Sequence, residues 1–323
     1  MNTINNLKQK ILGGNFINKD DALSLIDTPL DELCLAANAL RLHFCGNAFD
    51  ICTIINAKSG RCSEDCKYCA QSSFYNTVAE IYPLLDEDSL LEQAKYNDER
   101  GVLRYSLVTS GKKLNDDEID KVCKAARRIQ QETNIHICAS LGLLNETQFK
   151  KVRAAGITRV HNNLETSKNN FSNVCTTHTF EDKLNAIKAA QNAGLNVCSG
   201  GIMGLGETME DRIDMVLTIR ELGIRSIPVN MLNAIPGTPY ENVPRLTNDD
   251  IKRIVAIFRF IVPNASIRLA GGRGLLADKG RSCFLSGANA AISGDMLTTS
   301  GISIDQDMKM LKELGYRAVL WNE

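Results

Sequence analysis

Three thiols stand within eight residues in Cys62-Ser-Glu-Asp-Cys66-Lys-Tyr-Cys69. Their C-x3-C-x2-C spacing lets one loop grip a single metal centre, just past the apolar run at 51–55. No fourth Cys or His follows at ligand distance in the sequence. A structural zinc site wants four protein ligands. A 4Fe–4S cluster held by three thiolates instead keeps one iron open to a small molecule. Cys62, Cys66 and Cys69 are therefore read as holding such a cluster, with a zinc site completed by a distant residue as the alternative.

Other residues suited to chemistry lie inside apolar, β-branched runs. Cys138 (in Ile-His-Ile-Cys-Ala-Ser) and Cys198 (in Asn-Val-Cys-Ser-Gly-Gly) are mid-strand thiols, and Arg268 is a mid-strand guanidinium in Ser-Ile-Arg-Leu-Ala. A lone strand Cys commonly packs as a small hydrophobe. A buried Arg must find acceptors, and the sulfides of an iron–sulfur cluster would serve. Asn163 and Glu165 share one parity in His161-Asn162-Asn163-Leu164-Glu165, so both face the same side of their strand. Gly200-Gly201 and Gly204-x-Gly206 would let a ligand approach the backbone closely. Their spacing and their start within a strand exclude a dinucleotide fingerprint.

These residues need a scaffold that carries strand ends to one place. From about residue 50, short β-branched runs alternate with longer amphipathic stretches. Strands are expected at 51–57, 103–109, 134–140, 157–164, 196–202, 225–231, 264–270 and 287–293. Helices are expected at 84–100, 115–132, 146–155, 179–194, 207–223 and 247–261. Gly156 and Gly194 fall where left-handed helix caps belong. The rhythm predicts an α/β fold: a (βα)8 TIM-type barrel over 46–323, ending in a C-terminal helical segment and preceded by a helical cap over 1–45. The active site then belongs at the C-terminal ends of the strands, where the cysteine loop follows the first one.

Composition narrows the class. The 323 residues carry 37 Lys plus Arg against 38 Asp plus Glu, and a net charge of −1 gives no support for nucleic-acid binding or a polybasic membrane patch. No run of about eighteen apolar residues occurs, which excludes an ordinary membrane helix. The first ten residues lack the apolar core of a signal peptide. Eleven cysteines without an export signal fit a reducing compartment, so a cytoplasmic location is expected.

The triplet, with Tyr68 just before its last Cys, resembles the signature of the radical S-adenosylmethionine superfamily. That resemblance implies that the open iron takes the amino and carboxylate groups of S-adenosylmethionine, whose cleavage yields a 5′-deoxyadenosyl radical. Further stretches narrow the likeness to the biotin synthase family and cover nearly the whole chain. They are Asn56-Ala-Lys-Ser-Gly-Arg-Cys62, Ala70-Gln-Ser-Ser73, His161-Asn-Asn-Leu-Glu-Thr-Ser167, Cys198-Ser-Gly-Gly-Ile-Met-Gly-Leu-Gly-Glu-Thr208, Asn230-Met-Leu-Asn-Ala-Ile-Pro-Gly-Thr-Pro239, Arg268-Leu-Ala-Gly-Gly-Arg273 and Met296-Leu-Thr-Thr299. The family inserts sulfur into dethiobiotin, drawing it from an auxiliary iron–sulfur cluster, usually 2Fe–2S. A flavodoxin or ferredoxin-type reductant and a homodimer are implied as well. Another radical enzyme of the same group, of hydrogenase-maturation or pyrrolysine-pathway type, is the nearest rival. A non-catalytic iron–sulfur electron carrier is the rival from a different class.

Residue roles follow from the resemblance where positions match. Cys138, Cys198 and Arg268 match three of the four auxiliary ligands, but the fourth, expected as Cys, is Ser106. Serine replaces a soft thiolate on iron poorly. Cys52 stands where the family more often has Ser, so a relocated ligand and a four-iron auxiliary centre on Cys52, Cys138 and Cys198 are expected. Arg268 then donates hydrogen bonds more readily than it ligates, since guanidinium has no lone pair to offer. S-adenosylmethionine contacts are expected from Tyr68, Thr109, Ser110, Asn163, Glu165, Gly200, Gly201 and Lys183, the last replacing an Arg of the family. Asn163, Asn230, Thr298 and Thr299 are expected to bind dethiobiotin. Cys34, Cys45, Cys123, Cys175 and Cys283 are read as structural or surface thiols, Cys45 lying near the expected barrel entrance.

Overall fold

A computed structural model describes residues 3–321; residues 1, 2, 322 and 323, at the ends of the expected cap and barrel, lie outside the described residues. The alternating pattern becomes a ring of parallel strands: β1 (Ala48–Lys58), β2 (Arg104–Thr109), β3 (His136–Ser140), β4 (Arg159–His161), β5 (Asn196–Cys198), β6 (Gly201–Met203), β7 (Ser226–Met231), β8 (Ser266–Leu269) and β9 (Ala290–Ser293). Their order is β5-β4-β3-β2-β1-β9-β8-β7-β6. The single stretch expected at 196–202 is divided into β5, which pairs with β4, and β6, which pairs with β7. The covalent chain joins the two halves, so the ring is completed through one broken strand.

Gly200 is the break. A Cβ there would stand 1.9 Å from the Pro228 carbonyl oxygen, so only glycine lets the fifth strand cross its neighbour this closely. A Cβ on Gly201 would meet the Glu165 carbonyl oxygen at 2.4 Å. Both glycines therefore serve strand packing, and neither lines the cavity described below.

The helices outside the ring are α4 (Glu87–Asp98), α5 (Asp116–Glu132), α6 (Glu146–Ala154), α8 (Phe180–Asn192), α9 (Met209–Glu221) and α10 (Asn248–Ile261), with a short α7 (Phe171–Val174) in the loop after β4. Five of them open on a reciprocal capping box: Asn115 with Glu118, Asn145 with Gln148, Thr179 with Asp182, Thr208 with Asp211, and Thr247 with Asp250. Each box ends a loop at the face where the site sits. Gly156 and Gly194 adopt φ of +92° and +77° just past their helices, as expected.

Before the barrel, α1 (Thr3–Leu12), α2 (Lys19–Leu23) and α3 (Leu30–Cys45) pack on one another and on the outer helices, α3 against α10 and α2 against α9. The last units are shorter than a regular βα rhythm predicts. A four-residue α11 (Arg281–Phe284) separates β8 from β9, and α12 (Ile304–Glu313) follows β9. A final strand, β10 (Arg317–Ala318), pairs with the start of β1, and Phe49 packs edge-on against Phe284 and Tyr316. Among the described residues no helix is long and apolar enough to cross a membrane.

Candidate active site

Strand parity decides what enters the barrel. Cys52 and Ile54 of β1, Arg104, Ser106 and Val108 of β2, and Cys138 and Ser140 of β3 alternate inward and line one cavity of about 420 Å³. Cys198, Asn230 and Arg268 enter it from the opposite side of the ring. The rim carries Cys62, Tyr68 and Cys69 of the loop after β1, with Thr109, Ser110, Asn163, Glu165, Lys183, Thr298 and Thr299. Apart from the two strand glycines, the expected site residues thus meet around a single space. Cys66 is the exception among the thiols, because it lies just behind the lining.

The floor is strongly cationic. Asp50, fully buried, accepts both Nε contacts of Arg104 at 3.0 and 3.1 Å, stands 3.2 Å from Arg268 Nη2 and 3.6 Å from Arg159 Nη1. Three buried guanidiniums thus surround one carboxylate. Burial opposes the charge of Asp50, but Arg268, Arg104 and Arg159 hold its carboxyl below the usual range. Burial likewise opposes the charge of Arg268, but Asp50 together with Cys52 and Cys198 outweighs it, so the guanidinium stays protonated. Arg268 also donates to the carbonyls of Asp50 and Ala291. Burial pushes the Cys52 and Cys138 thiols up, so both are protonated and inert unless a metal takes their protons.

The rim is fixed by polar contacts. Glu165 has φ +70°, a left-handed conformation that non-glycine residues seldom adopt, and Asn163 Nδ2 donates to its carboxylate at 3.2 Å. Gly200 N donates to Asn163 Oδ1 at 3.0 Å, so the strand break also orients this amide. Burial, with the Glu165 carboxylate beside it, keeps the Tyr68 phenol protonated. Asn230 donates to the Gly201 carbonyl and accepts from Gly271 N, leaving one proton and one lone pair for a guest. Asn56 donates to the Leu297 carbonyl and so holds the turn that presents Thr298 and Thr299.

The cysteine loop is anchored from both ends. Cys62 N donates to the Gln71 carbonyl and Ser73 N to the Cys62 carbonyl. Asp65 accepts from the backbone N–H groups of Thr176 at 2.8 Å and Thr177 at 3.1 Å. This brings Cys175, read from the sequence as a structural or surface thiol, and His178 against Cys66. Cys175 and Cys66 share a hydrogen bond that favours the thiolate on Cys175, pulled down to about 4, and the thiol on Cys66. The sequence signal was Cys175-Thr-Thr-His178, a pair three apart in a loop. Cys45, by contrast, is buried beside Arg259 and the Pro263 carbonyl, away from the cavity.

Sequence reasoning also missed Arg104, Arg159 and His161, all of which line the cavity. The test applied to Arg268, a charge in mid-strand, would have found Arg104. Burial lowers His161 to about 4, so its ring is neutral at physiological pH.

Residues 57–219 match the Radical SAM superfamily, and residues 228–317 match the Biotin and Thiamin Synthesis associated domain. The chain is 62% identical over 318 residues to a biotin synthase of Brachyspira hyodysenteriae, covering 98% of this chain and 96% of that one. The chain belongs to the biotin synthase family. A second biotin synthase, of Akkermansia muciniphila, is 57% identical, with 98% of each chain covered. A methylornithine synthase structure superposes with a TM-score of 0.84 at 19% identity, covering 97% of each chain. An FeFe-hydrogenase maturase superposes at 0.83 and 17% identity, covering 97% of this chain and 74% of that one. Both share the fold.

Membership in the biotin synthase family implies a 4Fe–4S cluster, S-adenosylmethionine and an auxiliary iron–sulfur cluster, and the donors fit them. Among the described residues, Cys62, Cys66 and Cys69 do not converge within the span of one ion. A cubane, which takes each thiolate at a separate iron, needs that wider spacing. At the floor, three buried thiols under an excess of guanidinium charge suit an anionic sulfide cluster.

Proposed function

We propose that this chain inserts sulfur into dethiobiotin, closing the thiophane ring of biotin. The observation that carries the reading is one cavity with a three-thiol loop at its rim and Cys52, Cys138 and Cys198 beside Arg268 at its floor. When bound, the rim cluster and S-adenosylmethionine supply a radical able to take hydrogen from unactivated carbon, and the floor cluster supplies sulfur.

The chain's own residues bind and orient. Cys62, Cys66 and Cys69 hold the rim cluster. Glu165 accepts the ribose hydroxyls of S-adenosylmethionine, Asn163 bridges cofactor and substrate, and Tyr68, Thr109, Ser110 and Lys183 complete that wall. Asn230 offers its remaining donor and acceptor to the ureido ring, and Thr298 and Thr299 take the substrate carboxylate without a buried cation. Ile54, Val108 and Ile292 keep the space between rim and floor apolar, which keeps water from the reacting carbon.

The auxiliary centre is of four-iron type, held by Cys52, Cys138 and Cys198. Arg268 is its hydrogen-bond donor, a role supported by its engagement with Asp50. The protein acts in the cytoplasm as a homodimer and receives electrons from a flavodoxin or ferredoxin-type reductant. All eleven cysteines being free fits a reducing compartment.

An anaerobic assay with dethiobiotin, S-adenosylmethionine and reductant, scoring biotin and 5′-deoxyadenosine, tests the reaction. Both products are expected; deoxyadenosine without biotin would overturn the sulfur half. Mössbauer spectra with iron and sulfide counts test the floor, where two irons unaffected by Cys52→Ala would remove the four-iron assignment.

A further inference from the structure

Behind the cavity wall lies a second group of metal donors, two of which, Cys175 and His178, the reaction does not use. The ligand atoms of Cys66, Cys175 and His178 all lie within 4.8 Å of one another. Cys175 Sγ is 3.3 Å from His178 Nδ1. A tetrahedral zinc with Zn–S of about 2.3 Å and Zn–N of about 2.0 Å sets its sulfur and nitrogen ligands roughly 3.5 Å apart. The pair is therefore already spaced for one ion. Glu64 Oε2 stands 2.7 Å from the same Nδ1 and is itself buried, with Thr177 Oγ1 donating to it at 2.9 Å. Glu64 does not join the three donors whose ligand atoms all lie within 4.8 Å of one another, so its carboxylate orients the ring and the fourth position is left to solvent.

We propose that Cys66, Cys175 and His178, with solvent in the fourth position, form a mononuclear site for one divalent, borderline-soft cation, zinc or ferrous iron, occupied before the rim cluster is in place. Two thiolates and one imidazole, with a water, are a donor set such ions accept, and zinc binds it more tightly than ferrous iron. Binding releases the protons now shared among the two sulfurs, the ring and the carboxylate. The residues come from two segments more than a hundred positions apart, already tied together through Asp65, so the site closes without rearranging the backbone.

The site shares Cys66 with the rim cluster, so the two occupancies are mutually exclusive; this part rests on the assignment of Cys66 above. Ferrous iron held here is a first iron delivered beside the loop. Zinc held here withdraws one of the three cluster ligands.

Anaerobic titration of the full-length, cluster-free chain with cobalt(II) tests the site. One equivalent should bind with an intense thiolate-to-cobalt band and a tetrahedral ligand-field spectrum. Cys175→Ser and His178→Ala should each weaken binding at least tenfold, whereas Cys62→Ser and Cys69→Ser should leave it unchanged. X-ray absorption of the zinc-loaded wild-type chain gives a readout independent of whether any variant folds, with two sulfur and two nitrogen or oxygen neighbours expected. Three sulfurs, or cobalt binding lost in Cys62→Ser but kept in Cys175→Ser, would place the ion in the three-cysteine loop and overturn the proposal. Failure of the biotin assay would leave this result untouched.

Discussion

Ser106 stands directly across from Cys138 in the pairing of β2 with β3, and Cys52 lies one inward step nearer the base, opposite Arg104. A thiol at Cys52 therefore reaches the floor from a lower layer than a thiol at Ser106 would. Moving it should change what the floor can hold. In the double variant Cys52→Ser with Ser106→Cys, the auxiliary centre should shift from a four-iron to a two-iron Mössbauer signature. An unchanged four-iron spectrum would mean that thiol position does not set nuclearity.

Asp50 lies among the three guanidiniums of Arg104, Arg159 and Arg268 at the floor. Asp50→Asn keeps its shape and removes a countercharge that all three share. Unfolding of the cluster-free chain in denaturant should show a loss of about 3–5 kcal/mol, as a lower midpoint at an unchanged slope. A loss under about 1 kcal/mol would show that water screens the floor.

Gly200 and Gly206 separate two reasons for glycine. Gly206 has φ +87° with open space around it, while Gly200 faces the Pro228 carbonyl. Gly206→Ala should cost about 1 kcal/mol, the strain of a left-handed residue. Gly200→Ala should cost about 3 kcal/mol or more, since backbone must move, and should also weaken S-adenosylmethionine binding because Gly200 N orients Asn163. Equal losses in the two variants would contradict this division.

Glu165→Gln retains hydrogen bonding toward Tyr68 and Asn163 but removes the charge. Affinity of the cluster-loaded chain for S-adenosylmethionine should fall about tenfold, or about 1.4 kcal/mol, by equilibrium dialysis. Stability should stay within about 0.5 kcal/mol. Unchanged affinity would take Glu165 out of the ribose site.

The strands were legible because their apolar runs are long and bounded, and parity carried Cys138 and Cys198 to the inside. Asn163 and Glu165 instead lie past the end of β4 and are placed by the loop that follows it. The break at Gly200 was not legible. A Gly-Gly pair reads the same whether it admits a ligand or a neighbouring strand, and only the Pro228 contact decides. Asp50 escaped notice because it sits at the start of β1, where a charge reads as a solvated strand end. Its meaning depends on three arginines from three other strands. Cys175 and His178 were hidden for a related reason: a loop thiol gains a role only from what folds against it.

Asp65 binds a segment 111 and 112 residues further along the chain. At roughly 5–20 residues per second of synthesis, the three thiols leave the ribosome about 5–20 s before the partners that shape their loop exist. The nascent chain thus passes through an interval with an unformed, thiol-rich segment open to oxidants and stray ions. The final shape of the cysteine loop is timed by chain topology rather than by the cysteines themselves.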